Sequence, residues 1–223
     1  MTERPFPAAD HLTIRDAYLA AATSAAALLG DPAVAASWHA PSALEHYDVA
    51  GLAGHLAGQI FFIRRVLDAP PPAEEPVSIL EYYARVPWID AGPDDDVHVN
   101  IRAGSIANAV DGPAALAARA EAAVDDLRQA LPAAPPERLV RLPIWDGYSL
   151  RLDDFVVSRM MELAVHSDDL AASAGITAPA LPPVVIDIVV DLLSRLAVRR
   201  HGPSAVLRAL TRQERAPATI AAF

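Results

Sequence analysis

From Asp153 to Ser173 the chain has neither glycine nor proline until Gly175, and its apolar residues recur at helical spacing. The stretch is predicted as one long helix closed by that glycine. Within it, Met160-Met161-Glu162-Leu163-Ala164-Val165-His166 sets a carboxylate and an imidazole one turn apart on a single face of a largely apolar helix. This limits what the chain can fold into. Either the face meets water and Glu162 and His166 form an ordinary i,i+4 polar pair, or it is buried against something that satisfies both groups, because an unpartnered buried charge is costly. A divalent cation would satisfy both, and it would need a third ligand from elsewhere.

The remaining apolar periodicity is also mostly helical. Helices are expected from about His11 to Leu29, stopped at Gly30-Asp31-Pro32, and from Asp48, a good N-cap, to about Leu67, before Pro70-Pro71-Pro72. Residues 31–47 read as a structured loop. A short helix is expected over Ser78 to Arg85. The acidic run Asp94-Asp95-Asp96 opens a stretch reaching Val110, and Ala114 to Leu131 resumes the pattern after Asp111-Gly112-Pro113, as one kinked helix or two. Gly51, Gly54 and Gly58 in the second long segment leave room for a neighbouring helix to approach closely. Between Arg138 and Leu152 the period falls to two around Asp146-Gly147, a hairpin signal. Beyond Pro182-Pro183 an apolar helix is expected to about Arg200, and a further short one from Pro203. The expected fold is mainly α: a four-helix bundle over residues 1–175 with a small hairpin, and a C-terminal helical extension over 176–223 packed on the same domain.

Composition removes several kinds of chemistry. The chain has no cysteine, which excludes disulfides, thiolate ligands and a cysteine nucleophile, so thiol chemistry would require a bound small molecule. All basic residues are arginine, which excludes a Schiff-base lysine. A formal charge of −10 disfavours nucleic acid as a partner. No window approaches about 18 uninterrupted apolar residues, so no membrane partner is expected. The N-terminus lacks a basic region followed by an apolar core, so a cytoplasmic protein is expected, as monomer or homodimer.

Of seven histidines, at positions 11, 39, 46, 55, 98, 166 and 201, His55 stands out. It lies mid-helix in Gly51-Leu52-Ala53-Gly54-His55-Leu56-Ala57-Gly58, among small and apolar residues. By itself such a residue is more often a hydrogen-bonded core histidine than a ligand. Asp48-Val-Ala-Gly-Leu-Ala-Gly-His55-Leu-Ala-Gly, however, resembles the second-helix motif of the mycothiol-dependent maleylpyruvate isomerase family, within the DinB-like metal-binding four-helix bundles. Arg159-Met-Met-Glu162-Leu-Ala-Val-His166-Ser-Asp-Asp169-Leu-Ala resembles that family's fourth-helix motif, and the two stand in the family's order. The resemblance covers roughly residues 10–175.

The resemblance implies a divalent metal, usually zinc, held by His55, Glu162 and His166. Three protein ligands would leave zinc an open position, where a low-molecular-weight thiol such as mycothiol would ionise. The function implied is S-transfer to a small electrophile or thiol-assisted cis–trans isomerisation. Competing readings are a metal-assisted hydrolase and a non-catalytic stress or sensor bundle. Nickel, iron or manganese also suit the ligand types. Full-length family members carry a C-terminal α/β domain, whereas residues after Gly175 read as helical, which moves the expectation away from the namesake reaction.

At about 100° per residue, His166 lies about 40° from Glu162 and Asp169 about 20° to the other side. Asp169 is therefore a candidate to orient a ligand imidazole, or a cap or surface ion pair. Arg159, about 60° round, could meet a substrate carboxylate or simply water. Gln59 and Phe62 follow His55 at i+4 and i+7 and read as pocket lining or core. Trp145 and Tyr148 could wall an entrance or cover the bundle's end. Arg208, Arg212 and Arg215 could bind an anion or form a solvated face.

Overall fold

A computed structural model describes residues 13–142 and 147–223. Helix α1 (Ile14–Leu29) starts at Thr13, whose side chain accepts from the Asp16 amide while Asp16 answers with its carboxylate, a reciprocal cap. Gly30 ends it, and Asp31 caps a short helix α2 (Pro32–Ala36) in the stretch expected to be loop. Five residues with proline at the first helical position give no amphipathic period to read.

Helix α3 (Val49–Asp68) begins at the expected cap, Asp48, whose carboxylate accepts from Gly51 N at 2.7 Å. The chain then passes through α4 (Ile79–Arg85), α5 (Asp96–Ala109) and α6 (Pro113–Ala133). The interruption at residues 111–113 separates two helices: Gly112 has φ +86°, a left-handed conformation that no helix interior accepts, and Pro113 starts the next helix. The hairpin is small. Strand β1 (Leu139–Val140) pairs antiparallel with β2 (Leu150–Arg151), and Ser149 ties it to the proline-rich connector through Val77 N and Glu75 O. Helix α7 (Leu152–Ala174) follows, closed by left-handed Gly175 at φ 69°. Helices α8 (Pro183–His201) and α9 (Pro203–Thr211) complete the order.

The bundle consists of α1, α3, α6 and α7, with α5 laid along α3 and α8 against α7, α1 and α4. Leu52, Leu56, Ile60 and Ile63 of α3 are fully buried, as are Phe155, Val156 and Met160 of α7, each large side chain contributing about 1.5–3 kcal/mol of hydrophobic stabilisation. The glycines of α3 set its spacing to α5. A Cβ on Gly54 would lie 2.0 Å from the Ser105 carbonyl oxygen, and one on Gly58 would lie 3.1 Å from Asn108 Nδ2. Glycine is thus required at 54 by contact. At the opposite end of the bundle, Arg15 donates to Asp153 and to the carbonyls of Leu131, Ala134 and Pro135, tying the start of α1 to the end of α6 and the start of α7. No helix among the described residues is long and apolar enough to cross a membrane.

Candidate metal centre

Helices α3 and α7 run antiparallel, so His55, early in α3, faces the later half of α7. Glu162 Oε2 lies 3.1 Å from His166 Nε2 and 3.6 Å from His55 Nε2. The two imidazoles meet edge to face with centroids 4.7 Å apart. One donor atom from each residue falls within 4.8 Å of the others. The side chains are 13–16% exposed, set into the bundle wall but reachable from outside. The carboxylate–imidazole separations bracket about 3.4 Å, the edge of a tetrahedron with metal–ligand bonds of about 2.1 Å, so the donor set fits a divalent cation.

Several side chains fix these three. His166 Nδ1 donates to Asp169 Oδ2 at 2.9 Å, and Asp169 O accepts from Ser173 Oγ, which in turn accepts from Ala43 N. The helical face thus includes Asp169, as its register predicts. His55 Nδ1 lies 3.3 Å from Ser105 Oγ on α5, and the Tyr47 ring stands edge-on to His55 at 5.9 Å.

Arg159 occupies a place different from the solvent- or substrate-facing one considered for it, whereas Gln59 is buried, as its core reading expected. Arg159 is buried over the Phe155 ring, donates to Gln59 Oε1 at 2.7 Å and to Ser158 Oγ at 3.1 Å, and lies 4.0 Å from Glu162 Oε1. It is a partner of Glu162 from the protein side, not a guanidinium directed at solvent. Gln59 is 1% exposed, with its amide nitrogen 3.3 Å from His55 Nε2 and 3.0 Å from the His55 carbonyl. Phe62 is half-buried against the core with Arg65 over its ring. Tyr148 is buried under Arg85 near the hairpin; Trp145 lies outside the described residues, as does His11. His98 is bonded to Trp88 O and His201 to Ala221 O, while Arg208, Arg212 and Arg215 are exposed on α9 and beyond.

The charges are mutually adjusted. Burial raises the Glu162 carboxyl pKa, but His166, His55 and Arg159 outweigh it and hold the group well below the usual carboxylate range. Burial opposes charge on His166, yet Asp169 and Glu162 prevail and its pKa rises to about 9. For His55 burial prevails and the pKa falls. A charged carboxylate between a protonated and a neutral imidazole is a site holding a proton where a cation would bind.

A family model described as the mycothiol maleylpyruvate isomerase N-terminal domain matches residues 18–171. The chain belongs to this family. The matched span contains His55, Glu162 and His166 with Asp169, all four from α3 and α7; α8 and α9 lie outside the match. No curated protein and no solved structure matches the chain. Ser105 and Tyr47 were not foreseen from sequence. Tyr47 directly precedes the first motif but fell in the stretch read as loop, and Ser105 is remote in the chain from both motifs: the glycine spacing of α3 announces a neighbouring helix without saying which one.

Proposed function

We propose that this is a metal-dependent enzyme domain that binds a low-molecular-weight thiol of the mycothiol type and applies it to a small electrophile, by S-transfer or by cis–trans isomerisation. The observation carrying this reading is the convergence of His55, Glu162 and His166 donor atoms in a family of mycothiol isomerase domains. These three would hold the cation; zinc suits two imidazoles and one carboxylate with a position left open. A divalent cation and thiol bound together would supply a thiolate near neutral pH, able to displace a leaving group or to add reversibly to a conjugated double bond.

The chain's own residues do the rest. Asp169 keeps the His166 ring turned with Nε2 inward and raises its basicity. Arg159 balances Glu162 from behind, which helps keep the carboxylate ionised. The absence of cysteine means that the protein cannot supply the sulfur itself. We place the division at about residue 175, with 176–223 as an extension on the bundle, and propose a cytoplasmic setting.

The test is metal analysis of the purified protein followed by thiol titration of its cobalt form. About one divalent ion per chain is expected, lost in His55→Ala and His166→Ala, with a sulfur-to-cobalt charge-transfer band on adding mycothiol. Metal retained undiminished in both variants would overturn the site, and bound metal blind to thiol would overturn the transferase reading.

A further inference from the structure

An imidazole at a metal site must present the correct nitrogen, and a neutral ring can carry its proton on either. Which nitrogen of His55 carries it follows from its neighbours, provided that their own polarity is unambiguous. Two chains of hydrogen bonds reach the ring from opposite sides, and each begins at a group with only one possible role.

The first begins at the Ile101 carbonyl, which can only accept. Ser105 Oγ lies 2.8 Å from it and donates its one hydrogen there. The hydroxyl then has two lone pairs and no proton left. His55 Nδ1, 3.3 Å away, must therefore donate to one of them. The second begins at Arg159, whose guanidinium can only donate. It donates to Gln59 Oε1 at 2.7 Å, which fixes the otherwise ambiguous amide with oxygen toward Arg159 and NH2 toward His55. Gln59 Nε2 therefore donates, at 3.3 Å, to His55 Nε2, which must be the bare nitrogen. Both chains require the same tautomer, hydrogen on Nδ1 and lone pair on Nε2; Nε2 faces the Glu162 carboxylate at 3.6 Å, beyond hydrogen-bond reach, so that acceptor does not claim a proton from it.

We infer that Ser105 and the Arg159–Gln59 pair are positioning residues that lock His55 in its Nδ1–H tautomer, so that the ring is pre-set to offer Nε2 to a metal before one arrives. The metal clause rests on the function proposed above; the tautomer lock stands apart from it. Ser105 is the part of the lock contributed by α5, and Gly54 lets it approach: the missing Cβ is what allows the Ser105 backbone against α3. Gln59 also donates to the His55 carbonyl at 3.0 Å, so releasing Nε2 to a cation leaves its amide partnered.

The decisive measurement is the ring-nitrogen NMR spectrum of the metal-free protein, in which neutral His55 reports its tautomer directly. Wild type is expected to show Nδ1–H alone. Ser105→Ala should populate the Nε2–H form and weaken zinc binding by about tenfold, and Ser105→Thr, which keeps the hydroxyl, should restore both. An Nε2–H ring in wild type would overturn the inference without any variant having to fold, and so would an unshifted tautomer and unshifted zinc affinity in a folded Ser105→Ala protein. If the wild-type tautomer is Nδ1–H, and shifts in Ser105→Ala, while no divalent metal binds at all, the lock stands and the metal reading falls.

Discussion

Glu162 shows how a buried charge is kept in this protein. It sits between His55 and His166 with Arg159 behind it, so its acidity is set by three neighbours on two helices. In the metal-free protein the raised His166 pKa means that its ion pairs contribute stability fully below the ordinary value of 6.5, a contribution lost as pH rises through about 9. Glu162 has the opposite sign: its depressed pKa contributes stability above the ordinary value of 4.5 that is lost on acidification. A metal must displace the His166 proton, so zinc binding near pH 7.5 is expected to release about one proton, measurable by calorimetry in buffers of different ionisation heat. Asp169→Asn removes the negative charge opposite His166 Nδ1 and leaves only a neutral amide oxygen to accept from it. It should bring the His166 pKa back toward its ordinary value and weaken zinc by about 10–100-fold, read by NMR titration and by competition with a chelating dye.

Among the elements, the closest constraint is the crossing of α3 and α5. Gly54→Ala would drive a Cβ against the Ser105 carbonyl, displacing α5. The expected loss is about 1–3 kcal/mol in urea unfolding, together with weaker metal binding because Ser105 moves. Gly104, on α5 itself, has nothing within 4 Å of its would-be Cβ; Gly104→Ala should stabilise by about 0.5–1 kcal/mol in the same assay, since helical glycine costs backbone entropy. Helix limits were legible because their signals are local: Asp48 caps α3 and Gly175 closes α7, both as read from sequence. The short α2 was missed because one turn and a half carries no periodicity.

At the scale of the molecule, the two ends of the bundle are separable. Arg15 satisfies three carbonyls and Asp153 at one end, and Glu162 lies nine residues, about 13 Å, further along α7. Arg15→Ala is expected to cost about 1–3 kcal/mol by leaving those acceptors unpaired, while zinc affinity is unchanged; a parallel fall in both would tie the ends together. Zinc at a hundredfold over its Kd should add about 2.7 kcal/mol to the unfolding free energy, seen as a raised Tm that EDTA reverses and that His166→Ala lacks.

By itself the sequence determined most of the long helices, their order and the pairing of Glu162, His166 and Asp169 on one face, because caps, breakers and a 3.6-residue period act over a few neighbours. It also singled out His55, through two motifs shared with a family. Only the tertiary structure decided that Arg159 and Gln59 turn inward to join Glu162 and His55, and that Ser105 arrives from α5. A helix register says which side a residue is on, but not what stands opposite. That depends on which helix fills the groove, and here a missing Cβ at Gly54 lets α5 fill it.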